Sequence, residues 1–148
     1  MYRKILVPLD GSPFAECSLA HVKAIAKGCQ VPEIVLMTVV DHIQDYPGME
    51  QSFKDKTRTA VQKAAAAYLT GISADLKKEG FNVVTVVQDG SAAENILDYA
   101  AKQGVDLMIM STHGRSGMGR RIMGGTADKI VRSATVPVLA VSSESCRI

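Results

Sequence analysis

Short runs of apolar residues alternate with longer stretches in which apolar residues recur every three or four positions. Ile5-Leu6-Val7 is the centre of a strand-like run, Arg3 to Leu9. Glu33 to Val40 is a second, with Ile34-Val35-Leu36-Met37 unbroken. Phe81 to Val87, Val105 to Met110 and Val136 to Val141 complete a set of five. Continuous rather than alternating apolarity predicts parallel strands covered on both faces. Between the runs the period becomes helical. Ala15, Leu19, Val22 and Ile25-Ala26 share one face of a helix that Ser12 caps, that Pro13 opens and that ends near Gly28. Val61, Ala65, Tyr68, Ile72 and Leu76 stripe a long helix over Gln51 to Lys78, with Gly71 allowing curvature. Ser91 and Glu94 have the spacing of a capping box for a helix that buries Ala93, Ile96, Leu97 and Ala100. Ala127 to Ala134 is the fourth helical pattern.

Five strands alternating with four helices imply one doubly wound, five-stranded parallel sheet with helices on both faces and right-handed crossovers, the Rossmann-like or flavodoxin-like α/β class. At 148 residues, one domain spanning 1–148 is expected. Ligands of such sheets bind beyond the strand C-termini. The groups there are Asp10-Gly11, Val39-Val40-Asp41, Asp89-Gly90 and Ser111 to Gly114.

The stretch from Ser111 to Thr126 stands apart. It holds Gly114, Gly117, Gly119, Gly124 and Gly125, with Arg115, Arg120 and Arg121 among them. Glycines let main-chain N–H groups face a ligand, and arrays of such groups opening onto a helix N-terminus hold anions. A solvated, flexible surface loop is the alternative. Charge separates this stretch from the rest: residues 111–135 carry a net +4, whereas residues 1–110 carry 11 Lys/Arg against 13 Asp/Glu. A local positive field attracts an anionic ligand.

Composition narrows the classes. Aromatic residues make up 5% and Trp is absent, against a base-stacking platform, and a net charge of +2 is too small to argue for duplex binding. No nucleic-acid partner is expected. No apolar run approaches the roughly 20 residues of a membrane span. No leader pattern precedes the first strand, so a cytoplasmic setting is expected. Cys17, Cys29 and Cys146 have no metal or redox spacing. Cys17 and Cys29 on one helix would lie about 18 Å apart, too far for a disulfide, and are expected as buried thiols. His21 and His42 form no metal pair, and His113 has no partner base identifiable from spacing.

Taken together, Val-Pro-Leu-Asp-Gly-Ser at 7–12, Thr38 to Asp41, Asp89-Gly90, Ser-Thr-His-Gly-Arg-Ser-Gly at 111–117 and Val-Pro-Val-Leu-Ala-Val at 136–141 resemble a universal stress protein over essentially the whole chain. The ATP-binding branch of that family carries Gly, two residues, Gly, nine residues, Gly, then Ser or Thr. Gly114 and Gly124 keep that spacing; Ser111 replaces the first Gly, and Gly125 stands in the Ser/Thr position with Thr126 next.

The resemblance implies a site for ATP or AMP, with or without Mg²⁺. Pro8, Asp10, Val39, Ser111, His113, Gly114, Arg115, Gly117, Gly124, Gly125 and Thr126 would form it. Asp10 would face ribose or the metal, or else only form an Asx turn before the Ser12-capped helix. Val39 would set its main chain against adenine. Gly114, Gly124 and Gly125 would contact phosphate, with a hydroxyl from Thr126 or Ser116. The resemblance also implies a homodimer pairing through Val138–Val141, and an edge with few charges suits that role.

A regulatory nucleotide binder with an unknown downstream protein partner is the leading expectation. No Gly-Lys-Ser/Thr P-loop or kinase signature is present for rapid phosphoryl transfer. A slow ATPase or an autophosphorylating protein, with Ser111, Ser116 or Thr126 as acceptor, is the enzymatic alternative. A nucleotide-free dimer module is another. A phospho-receiver using Asp89 lacks the Lys needed after the fifth strand.

Overall fold

A computed structural model describes residues 1–41, 47–114 and 123–142. Five strands, β1 (Lys4–Pro8), β2 (Glu33–Val40), β3 (Val83–Asp89), β4 (Leu107–Ser111) and β5 (Val138–Val141), form one sheet in the order β3-β2-β1-β4-β5. All four pairings are parallel. The expected doubly wound topology is therefore the observed one. Strand order reverses between β1 and β4, and that is where the two halves of the sheet part.

Each strand carries alternate residues to opposite faces. Ile5, Val7, Leu36 and Ile109 pack with Val22, Ala26, Leu69 and Leu76 on one side. Leu6, Val35, Met37, Met108 and Met110 pack with Ala93, Ile96, Ala127 and Ile130 on the other. The first core is roofed by α2 (Ser18–Gly28) and α3 (Gln51–Lys78), the second by α4 (Ala92–Lys102) and α5 (Gly125–Ser133). Among the described residues no helix is long and apolar enough to cross a membrane.

The structure corrects local expectations. The first helical stretch is broken at Cys17 into α1 (Pro13–Glu16) and α2. Ser12 caps α1 as expected, its hydroxyl accepting from the Ala15 N–H at 3.2 Å. The capping box at Ser91 does not form: Ser91 makes no side-chain cap bond. Its carbonyl accepts from Asn95, and Glu94 instead pairs with Lys129 of α5 at 3.1 Å. Packing of α4 against α5 has taken the carboxylate that the cap would have used.

Helix α3 keeps its predicted bounds, but its stripe is buried only toward the C-terminal end. Leu69, Ser73 and Leu76 are buried and Val61 is exposed. The thiols also differ from expectation, since Cys29 is free and exposed while Cys17 is disulfide-bonded.

Candidate functional site

The loop after β1 is shaped by three consecutive residues. Gly11 sits at φ +84°, a conformation that costs a side-chain-bearing residue. Its turn lets the Asp10 carboxylate fold back onto the chain: Asp10 Oδ1 accepts from the Ser12 N–H at 2.9 Å and from the Ser12 hydroxyl at 2.6 Å. The Asx turn is thus real. It engages Oδ1, while Oδ2 lies against Gly114 from the loop after β4. A Cβ built on Gly114 would overlap Oδ2. Glycine at 114 is a matter of space here.

Strand β2 runs past the end of β1. Met37 is the last residue of β2 in register with β1, at Pro8. The Leu9 N–H still reaches the Met37 carbonyl at 2.8 Å, but the Leu9 carbonyl turns to the Thr38 hydroxyl at 2.9 Å, ending the ladder. Successive main-chain groups of a strand point to opposite edges. The Val40 carbonyl bonds Gly90 on the β3 side at 2.9 Å. The N–H and C=O of Val39 therefore point the other way, into the slot left by β1.

Across the slot, Thr112 joins three elements. Its N–H reaches the Val141 carbonyl and its carbonyl receives the Gly124 N–H, each at 2.9 Å. Gly124 thereby becomes the N-cap of α5, with a hypothetical Cβ only 3.2 Å from that carbonyl. The next residues, Gly125, Thr126 and Ala127, open the helix, and their N–H groups have no acceptor within it. A Cβ at Gly125 would meet nothing within 4 Å. Position 125 therefore does not require glycine, whereas position 114 does. The imidazole Nδ1 of His113 lies 2.9 Å from the Thr112 hydroxyl.

These pieces enclose a cavity of about 340 Å³ at the strand C-termini. Pro8 and Asp10 line it from β1, Val39 from β2, and Ser111, His113 and Gly114 from the end of β4. Gly124, Gly125 and Thr126 line it from α5. Every described residue of the sequence-predicted set thus faces one space. Arg115 and Gly117 lie outside the described residues, as do Ser116, Gly119, Arg120, Arg121 and His42.

Other residues of the wall were not assigned a site role from sequence. Met37, Met110 and Ile96 form its apolar lining, and Ala92 and Asp41 lie at its margin. Their place at strand ends and on the inner face of α4 is a signal only once the strand order is known. Asp89, a strand-end candidate, is not among the lining residues. Its carboxylate accepts from Arg58 Nε at 2.9 Å and from Gln62 at 2.7 Å, both on α3. Of the positive charges counted near the glycine stretch, Lys129 is paired with Glu94 and Arg132 with Asp128. Among the described residues no group of three or more His, Cys, Asp or Glu side chains is arranged to hold a metal.

A doubly wound α/β sheet of flavodoxin-like fold, with its cavity at the reversal of strand order, defines the class. Residues 1–142 match the model of the Universal stress protein family, and the chain belongs to that family. It is similar to Universal stress protein MJ0577 of Methanocaldococcus jannaschii, at 28% identity over 159 residues and 98% of each chain. The solved structure of MJ0577 aligns at TM-score 0.87, with 30% identity over 96% of each chain. An Arabidopsis thaliana universal stress protein family protein with AMP bound aligns at TM-score 0.68, 15% identity, over 95% of this chain and 91% of that one. A universal stress protein in complex with cAMP aligns at TM-score 0.62, 17% identity, over 96% and 98%. At those last two identities the likeness shows the fold alone.

Proposed function

We propose that this chain binds an adenine nucleotide, ATP or AMP, in the cavity at the C-terminal ends of β1, β2 and β4. The observation that carries the reading is the convergence on one cavity of a strand-edge N–H and C=O pair at Val39, a carboxylate at Asp10 and the opening turn of α5. A base edge needs a donor and acceptor side by side. Ribose hydroxyls need an acceptor such as a carboxylate. Phosphate needs N–H donors at a helix N-terminus. AMP and cAMP in structures of the same fold support the same choice of ligand.

Mg²⁺ fits only with the nucleotide. Asp10 offers one carboxylate beside the phosphate-holding turn, and Mg²⁺ readily takes one carboxylate with phosphate oxygens and waters. Val39 holds the base, Gly114, Gly124 and Gly125 approach the phosphates, and Thr126, or Ser116 as assigned from sequence, supplies a hydroxyl. Pro8 and His113 complete the wall, with Arg115 and Gly117 assigned from sequence. The protein acts as a regulatory binder with little or no rapid turnover, in the cytoplasm, as one domain. It pairs with a second copy along the outer edge of β5. The test is the nucleotide content of the purified protein: denaturation and chromatography of the supernatant, then calorimetry with ATP and AMP with and without Mg²⁺. Absence of bound nucleotide together with absence of heat rejects the reading.

A further inference from the structure

We propose that Tyr68, on the far side of the sheet from the phosphate-holding turn, is a positioning residue for the Asp10 carboxylate. The inference rests on the nucleotide-binding reading and extends it to a residue outside the cavity.

Hydrogen bonds at either end of the short helix α1 connect the two through its main chain. The Tyr68 hydroxyl donates to Glu16 Oε1 at 3.0 Å. Glu16 is the last residue of α1, a four-residue helix with little hold of its own. The N–H groups of Ala15 and Glu16 return to the Ser12 carbonyl at 3.2 and 3.4 Å, and the Ala15 N–H also reaches the Ser12 hydroxyl. That hydroxyl donates in turn to Asp10 Oδ1 at 2.6 Å. Every link lies between Tyr68 and Asp10, the carboxylate that lines the cavity from the loop after β1. Burial, with the neighbouring carboxylates of Glu16 and Asp10, raises the Tyr68 phenol above its ordinary value. The Gly11 main chain is close enough to act against that shift.

Tyr68 stands on the same helix that holds the other side of the strand-end surface. One to three turns earlier, α3 grips Asp89 at the end of β3 through Arg58 and Gln62. Helix α3 therefore braces the ends of β1 and β3, the two strands that flank β2, from a single element.

The test is a double-mutant cycle read by calorimetry with ATP and Mg²⁺. Tyr68→Phe removes the donor and keeps the ring, and ATP binding is expected to weaken about fivefold, the size of one lost hydrogen bond. Glu16→Gln retains an acceptor and is expected to bind close to wild type, while Glu16→Ala behaves like Tyr68→Phe. The deciding comparison uses Asp10→Asn, which keeps the Asx turn and removes the charge. If Tyr68 acts through that charge, Asp10→Asn and Asp10→Asn/Tyr68→Phe bind equally. Additive losses, or wild-type affinity in Tyr68→Phe, overturn the inference. Should the wild type bind no ATP, the nucleotide reading falls by itself. The positioning is then read from amide exchange at Gly11 and Ser12: faster exchange in Tyr68→Phe supports it, and unchanged exchange overturns it.

Discussion

Replacing Gly114 by Ala tests whether the approach of the β4 loop to Asp10 governs the site. The added methyl would overlap Asp10 Oδ2. The carboxylate cannot swing away without cost, because Oδ1 is held by the Ser12 N–H at 2.9 Å and the Ser12 hydroxyl at 2.6 Å. Hydrogen bonds to a charged group contribute about 1.5–3 kcal/mol each, and overpacking of a fitted contact costs about 1–3 kcal/mol. Partial relaxation of the loop leaves an expected loss of about 2 kcal/mol. For a chain of this size that lowers the melting temperature by about 4–8 °C.

Differential scanning calorimetry of three variants isolates the cause. Gly114→Ala is expected to melt lower. Asp10→Ala/Gly114→Ala is expected to melt no lower than Asp10→Ala alone, because the colliding oxygen is gone. Gly125→Ala, whose Cβ meets open space at the start of α5, is expected to be neutral or to gain up to about 1 kcal/mol from helix propensity. A Gly114→Ala protein that melts and binds nucleotide like wild type would refute the packing account.

Other outcomes follow from particular contacts. The main-chain N–H groups of Arg3 and Lys4 both donate to Asp106 Oδ2 at 2.8 Å and hold its carboxyl below the ordinary carboxylate value. A depressed folded value stabilises above the unfolded value of about 4 and is lost as pH falls through the folded one. Asp106→Ala should therefore be less stable than wild type in urea at pH 7, and the gap should close below about pH 4. Double substitution Arg58→Ala/Gln62→Ala removes these two α3 donors to Asp89 and should cost about 1 kcal/mol, discounted for the exposure of Arg58. Amide exchange should then rise over residues 51–62 and stay unchanged at the C-terminal end of α3. On β5, Pro137 and Val141 direct their carbonyls to β4, so Val138 and Ala140 turn their main chain outward. Ala140→Pro removes an outward N–H and leaves the inner ladder intact; sedimentation should show monomers, and an unchanged dimer would reject this edge. Val141 is buried, so a charge there would report unfolding instead.

The order of elements and the parallel sheet were legible in the chain because unbroken apolar runs and helical stripes are local patterns. The bounds of β2 and α3 coincide with the structure for the same reason. So does the Ser12 cap, whose partners lie within three residues. The break at Cys17 and the failed capping box at Ser91 were not legible, since Glu94 found a partner 35 residues away in Lys129. The site shows the same division. Asp10, Gly114, Gly124 and Thr126 were named from motif and spacing. That Gly114 is required by the volume of Asp10, that a Cβ at Gly125 would meet no neighbouring atom, and that Val39 turns its main chain into the slot depend on which strand ends beside which. Periodicity along a chain fixes which face of an element is buried. Only the packed sheet decides which groups from distant segments meet at its edge.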